Sequence, residues 1–250
     1  MIDDFYSSMA DYYHLTFGDW ELSIKQQSAI VARLTGSAQS VGRILDVACG
    51  IGTQALGLSM LGYEVDGSDI SPQVVQRALR ESAARGLHVR WRVDDMRFLS
   101  GATPSSYGVV ICMDNALPHL DDDEEISQAF RAMRSCLRPG GLILVSVRDY
   151  ARLMPARPTI TEPKFYGSRE NRRIVFQIWD WVDERRYLTH LYLTSLENGK
   201  WRVRHSLGSF RSVTPDEVVG LMIGAGFAAA EVLSEQDTGF HQPIVRGLAP

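Results

Sequence analysis

The hydrophobic positions change period along the chain. From about residue 42 to 150, short apolar runs alternate with stretches in which apolar residues recur every three or four positions. The runs at 43–48 (RILDVA), 63–68 (YEVDGS), 87–93, 107–113 (YGVVICM) and 142–147 (LILVSV) predict strands. Between them lie predicted helices over 53–61, 72–85 and 121–137. Gly62 and Gly86 stand where helices end, Ser71-Pro72 supplies an N-cap and a first-turn proline, and the RPGG at 138–141 reads as a turn. Almost wholly apolar strands joined by helices imply a parallel sheet covered on both faces. After Tyr150 the pattern shifts. Residues 151–173 hold three prolines and read as a loop or lid. Strand-like runs follow at 174–182, 186–196 and 200–210, the last two joined by the hairpin dipeptide Asn198-Gly199. Thr214-Pro215 opens a helix that ends at Gly224–Gly226, and the segments 227–233 and 242–247 offer closing strands. The first 40 residues read as helical and carry Phe5, Tyr6, Tyr12, Tyr13, Phe17 and Trp20.

Candidate chemistry concentrates after the first strand. In DVACGIGTQA, residues 46–55, Gly50, Gly52 and Ala55 meet a G-x-G-x-x-G/A pattern, and Asp69 lies 19 positions beyond Gly50 at the end of the next strand. In a parallel sheet this places a ligand's backbone at the glycine turn and ribose hydroxyls at the acid. A plain strand-to-helix turn is the bland alternative for the glycines alone. Asp46 bears on which nucleotide fits. A pyrophosphate avoids a carboxylate there, whereas a ligand with a sulfonium and an ammonium gains from one. The charge pattern therefore favours S-adenosylmethionine over NAD.

Composition narrows the setting. With 26 Lys+Arg against 30 Asp+Glu the chain carries a formal charge of −4, and no basic block suggests a nucleic-acid or polybasic membrane partner. The three cysteines form no CxxC pair, the first residues lack a signal-peptide pattern, and no apolar run suits a membrane span, so the expected location is the cytoplasm.

Four stations, DVACGIG at 46–52, VDGSDIS at 65–71, VDDMR at 93–97 and LRPGG at 137–141, together resemble class I S-adenosylmethionine-dependent methyltransferases. ADYYHLTFGDW (10–20), DNALPHL (114–120), VRDY (147–150) and TGFHQP (238–243) are similar to the bacterial glycine/sarcosine N-methyltransferase group. The resemblance implies an α/β fold, a doubly wound, mostly parallel seven-stranded sheet whose last strand is antiparallel, with an antiparallel insertion after the fifth strand. It divides the chain into a helical lid segment at 1–40, a Rossmann-like cofactor-binding domain at 41–150 and 214–250, and an insertion at 151–213 serving substrate or oligomer contacts. It assigns Gly50 and Gly52 to the methionine portion of the cofactor, and Asp46 and Ala48 are also expected to bind the cofactor. Asp69 falls to the ribose, Ile70 to the adenine face, Asp95 and Met96 to the adenine edge, and Met113 near the cofactor. The product would be S-adenosylhomocysteine.

For the transfer itself, His119 and Asn115 follow the fourth strand at the carboxyl edge of the sheet, where α/β proteins bind ligands. Arg148 ends the fifth strand, where a guanidinium suits a substrate carboxylate; Arg169 and Arg211 are weaker candidates. Tyr13, His14 and Trp20 offer rings that surround cationic groups, and sequence does not separate Tyr13 from His14. The acids at 121–125 read as helix capping rather than a metal site, and no metal is expected. Cys49 is expected to serve only as a small turn residue. Trp179, Trp181 and Trp201 are expected to pack a sheet face or an oligomer contact. The expected activity is methyl transfer to the nitrogen of a small amine or amino acid such as glycine or sarcosine. The alternatives are O- or C-methylation of a natural-product intermediate, a cofactor-binding regulator, and an NAD dehydrogenase. A small-molecule substrate is expected, with homo-oligomerisation open.

Overall fold

The computed structural model describes residues 2–250, with side chains from Phe5 onward. Three helical segments come first: α1 (Ile2–Met9), α2 (Trp20–Thr35) and the short α3 (Ala38–Val41), with a 3₁₀ turn at Tyr13–Thr16 between α1 and α2. Asp19 caps α2, its carboxylate accepting from the Leu22 N–H. Strands β1 (Arg43–Val47), β2 (Glu64–Asp69), β3 (Val89–Val93), β4 (Tyr107–Cys112) and β5 (Leu137–Ser146) then alternate with α4 (Thr53–Met60), α5 (Pro72–Ala84) and α6 (Asp123–Cys136). After α8 (Pro215–Gly224), strands β10 (Ala229–Leu233) and β11 (Ile244–Leu248) flank the short α9 (Glu235–Thr238).

These seven strands form one sheet in the order β10-β11-β5-β4-β1-β2-β3. β1 to β5 pair in parallel, and β11 runs antiparallel to both β5 and β10. Every residue of β4 is buried, as its unbroken apolar run requires between two helical layers. One layer packs Ile126, Phe130 and Met133 of α6 beside Val218 and Met222 of α8, while α2 and α4 cover the other face with Val31 and Leu58. The strand order reverses between β1 and β4, so their carboxyl ends diverge into a crevice.

A second sheet, β6 (Lys164–Tyr166), β7 (Arg173–Trp181), β8 (Arg186–Glu197) and β9 (Lys200–Arg211), is antiparallel throughout. Asn198, with φ +50°, and Gly199, with φ +74°, make its last hairpin. Two sequence expectations change. The segment 151–173 is not simply a loop. It contains most of α7 (Tyr150–Ala156), capped by Asp149 through the Arg152 N–H, and β6, which adds to β7. The turn at 138–141 lies inside β5. The ladder to β4 shifts register between Tyr107 and Val109, and Gly141 accepts a backbone hydrogen bond from Ala249. Ser71 precedes α5 without capping it; its hydroxyl instead lies 2.7 Å from that of Ser7 on α1.

Candidate active site

The crevice holds a cleft of about 840 Å³, open solvent at its mouth included, lined by Tyr6, Gly50, Asp69, Asp95, Asp114 and His119 among others. Its floor is the β1–α4 turn. Ala48, Gly50 and Gly52 have φ of 57°, 53° and 92°, so the chain makes successive left-handed steps that expose backbone to the cleft. Ala48 does so at a conformational cost of about 1–2 kcal/mol that glycine would avoid. A Cβ on Gly52 would stand 2.8 Å from the Trp91 ring, whereas one on Gly50 would meet nothing within 4 Å. Asp69 is drawn to this turn: its carboxylate accepts from the N–H groups of Gly50 at 2.9 Å and Ser71 at 3.0 Å.

Ala48, Gly50, Asp69, Ile70, Asp95, Met96 and Met113 all line the cleft. Asp95 is gripped by the backbone and guanidinium of Arg97, the nearest nitrogen at 2.6 Å. Burial would raise its carboxyl, but the Arg97 contacts prevail and hold it below the ordinary range. Gly52 lies beneath the lining, against Trp91 and Leu56. Asp46 is fully buried at the end of β1, and its Oδ2 has no hydrogen-bond partner. Burial and the nearby Asp114 and Asp69 push its carboxyl well above the usual range, against a hydrogen bond from Ala55. The site thus concentrates acids around two buried carboxyl oxygens that lack a hydrogen-bond partner, Asp46 Oδ2 and Asp114 Oδ1. Cys49 is buried beside the same acids, and burial, then Asp46 and Asp69, raise its thiol; it is not an activated nucleophile.

Tyr6 and His119 meet in the lining of the cleft. His119 is buried, with Nδ1 3.0 Å from the Ser209 carbonyl of β9 and Nε2 3.0 Å from the Tyr6 hydroxyl. A carbonyl only accepts, so Nδ1 carries the proton, Nε2 accepts, and the Tyr6 hydroxyl donates to it. Burial lowers the imidazole to about 4, with Arg148 adding to the effect against the Ser209 carbonyl, so it is neutral near pH 7. Burial, then Tyr13 and Asp69, raise the Tyr6 phenol. Its proton is committed to His119, leaving oxygen lone pairs as acceptors. Tyr13 lines the cleft and packs edge-on against Tyr6 at 5.8 Å.

His14 and Trp20 do not line the cleft. His14 lies against Arg77, and burial followed by that guanidinium lowers its imidazole. Trp20 is buried between α2 and α4, donating its indole N–H to Thr53 at 2.9 Å. Asn115 is also committed elsewhere: its amide donates to the Tyr150 hydroxyl at 3.1 Å and accepts from the Arg148 N–H at 2.9 Å. Arg148 lies just behind the lining, donating to Tyr187 at 2.7 Å, with its guanidinium over the Trp179 and Phe210 rings. Neither Asp149 nor the acids at 121–125 pairs with it among the described residues. Arg211 pairs with Asp123 at 2.6 Å and Arg169 is exposed.

Tyr6, Gln54 and Asp114 belong to the lining although sequence reasoning did not single them out. Asp114 stood inside a motif that did attract notice. It and Asn115 both have positive φ, a conformation that Asp and Asn adopt more readily than other side chains. Two flanking motifs, 114–120 and 238–243, meet here across Ser146: its hydroxyl accepts from the Asp114 N–H and donates to Gln242, and His241 lies 3.3 Å from Asp114. Among the described residues no three His, Cys, Asp or Glu side chains group to hold a metal ion, and no helix is long and apolar enough to cross a membrane.

Residues 44–141 match a family model described as a methyltransferase domain. A glycine/sarcosine N-methyltransferase of Parasynechococcus marenigrum is 27% identical over 146 residues, 58% of this chain and 51% of that protein. A ubiquinone biosynthesis O-methyltransferase of Xanthomonas euvesicatoria is 36% identical over 104 residues, 42% of each chain. The chain thus spans about half the length of the curated relatives it matches. The S-adenosylmethionine-bound structure of an amino pentose methyltransferase from Micromonospora echinaspora superposes with a TM-score of 0.72 at 20% identity, covering 91% of this chain and 92% of that one.

Proposed function

We propose that the chain is a class I S-adenosylmethionine-dependent methyltransferase, a reading supported by the methyltransferase-domain match over residues 44–141, and that it methylates the nitrogen of a small amine or amino acid. The residues present suit the cofactor. The unpartnered, buried Oδ2 of Asp46 and the neighbouring Asp69 and Asp114 complement a ligand with cationic groups and no phosphate. Gly50, Asp69, Ile70, Asp95, Met96 and Met113 would hold it. When bound it supplies an electrophilic methyl group.

The observation that carries the choice of nitrogen is the Tyr6–His119 pair. An amine that reaches the site neutral needs alignment and an acceptor for its N–H, and alignment alone can contribute ~7–11 kcal/mol. The Tyr6 oxygen is that acceptor, held by a hydrogen bond to His119. A hydroxyl acceptor would need a stronger base than an imidazole lowered to about 4. Arg148, without an acidic partner among the described residues, would draw a substrate carboxylate toward the same wall. O-methylation is the second reading, favoured by the higher local identity to the ubiquinone O-methyltransferase.

The test pairs calorimetry with a transfer assay. S-adenosylmethionine should bind and NAD should not, and labelled methyl should pass to amines or amino acids. Transfer only to phenols overturns the nitrogen assignment; cofactor binding without transfer to any acceptor leaves a binding protein.

A further inference from the structure

The carboxyl ends of the parallel strands stand side by side, and each leads into one part of the cleft. In sheet order, β3 runs into Asp94 and Asp95, β2 ends at Asp69, β1 enters the glycine turn, and β4 runs into Met113 and Asp114. On the cofactor reading above, on which the proposal below rests, adenine belongs at Asp95, ribose at Asp69 and the methionine portion at the glycine turn. A ligand laid along this edge therefore brings its amino-acid end toward Asp114. The next strands complete that end. β11 is antiparallel to β5, so its first residue, Ile244, pairs with Ser146 at the same edge. The segment before it returns to the cleft: Gln242 accepts from the Ser146 hydroxyl, and His241 places Nε2 3.3 Å from Asp114 Oδ1. The buried Phe240 anchors this segment, its ring centroid 4.4 Å from that of His241.

The amino-acid end of S-adenosylmethionine is a zwitterion, and the lining of the cleft suits only half of it. Asp46, Asp69 and Asp114 favour the ammonium and repel the carboxylate. Asp114 Oδ2 accepts from Gln54 at 2.9 Å, but Oδ1 is buried with no hydrogen-bond partner, the nearby His241 nitrogen not being aligned on it. Gln54 gives its other amide N–H to Gln27 at 2.6 Å, so both of its protons are spent. Arg97, the one guanidinium in the lining among the described residues, is held at the adenine end by Asp95 and Glu125. His241, 54% exposed at the rim beside Asp114, is the group that can supply the missing positive charge. We propose that Asp114 and His241 together hold the amino-acid end of the cofactor, Asp114 Oδ1 taking the ammonium and His241 the carboxylate. Nε2 remains directed at Asp114 and Nδ1 serves the ligand; a ring that donates from both nitrogens is cationic. The pair then meets the zwitterion with opposite charge against opposite charge, and no ligand group faces its like. Its role is cofactor binding, distinct from that of the Tyr6–His119 pair on the acceptor side.

Calorimetry of the full chain with three probes tests this: S-adenosylhomocysteine, its decarboxylated analogue, which keeps the ammonium, and 5′-methylthioadenosine, which lacks both charged groups. His241→Ala should weaken S-adenosylhomocysteine about tenfold, the order expected of one hydrogen bond to a charged group, and leave the other two probes within about twofold. Asp114→Asn, whose side chain tolerates the same positive φ, should weaken both ammonium-bearing probes by a similar factor and spare 5′-methylthioadenosine. Equal losses on all three probes in His241→Ala would mark a merely structural role and overturn the proposal, as would an unchanged affinity for S-adenosylhomocysteine. If Asp114→Asn fails to fold, the half-exposed His241 decides alone. A wild-type chain that binds none of the three probes defeats the cofactor reading itself, and the proposal with it.

Discussion

Replacing Tyr6 with Phe removes one hydroxyl and little else. The ring keeps its edge-on contacts with Phe5 at 4.9 Å and Tyr13 at 5.8 Å. What disappears is the donor to His119 Nε2 at 3.0 Å and the acceptor that faces the cleft. A buried acceptor left unsatisfied costs about 1–3 kcal/mol. In a chain of 250 residues each kcal/mol corresponds to about 2–4 °C of melting temperature, so Tyr6→Phe should melt about 2–12 °C lower. Loss of one contact that orients the amine should lower kcat/KM about 10–200-fold, at about 1.4 kcal/mol per factor of ten. Steady-state kinetics with saturating cofactor and varied amine, beside thermal melts and cofactor calorimetry, separate the effects. Cofactor affinity should stay within threefold, since Tyr6 is assigned to the acceptor side. A variant within twofold of wild type in kcat/KM would refute the role given to this pair.

Other predictions follow from the same geometry. His119 is neutral when folded, with its imidazole lowered by burial to about 4. Between about 4 and the ordinary value near 6.5 the unfolded chain binds a proton that the folded chain does not. Stability should therefore rise with pH across that window and fall on acidification; urea melts from pH 4.5 to 7.5 should show this slope reduced in His119→Gln. Asp46→Asn keeps an acceptor for the Ala55 N–H but removes a carboxyl disfavoured by burial and by Asp114. The unliganded variant should melt higher than wild type at pH 7.5 while its S-adenosylmethionine affinity falls about tenfold, a loss of about 1.4 kcal/mol. Stability and affinity moving together would contradict this. Gly52→Ala must place a Cβ 2.8 Å from Trp91 at φ +92°, whereas Gly50→Ala meets no atom within 4 Å. Denaturant melts should show Gly52→Ala losing distinctly more stability, with Gly50→Ala losing no more than the ~1–2 kcal/mol of a left-handed alanine.

The layered sheet was legible because its strands announce burial on both faces: β4 has no polar position to alternate with. The nucleotide cleft was legible because a strand, a glycine turn and a distant acid meet only one way in a parallel sheet. What sequence left open depends on direction and on distant partners. Tyr13 and His14 are neighbours on a 3₁₀ turn of about 120° per residue, so one enters the cleft while the other packs on Arg77. Asn115 resembled a substrate ligand until its amide was found engaged by Tyr150 and Arg148. Tyr6 looked like one aromatic among several, because its partner His119 is 113 residues away and itself depends on a carbonyl of the second sheet. Arg148 was expected at the carboxyl edge of the sheet as a ligand for a substrate carboxylate; its surroundings are aromatic residues of β7, β8 and β9, which no local pattern brings together.

The atom that receives the methyl group tests the account most directly. With carbon-13-labelled S-adenosylmethionine and a mixture of small amines, amino acids and phenols, NMR of the products distinguishes N-methyl from O-methyl and C-methyl signals. The account predicts N-methyl products that diminish strongly in Tyr6→Phe. O-methyl or C-methyl signals alone, or N-methyl signals unchanged in that variant, would contradict it.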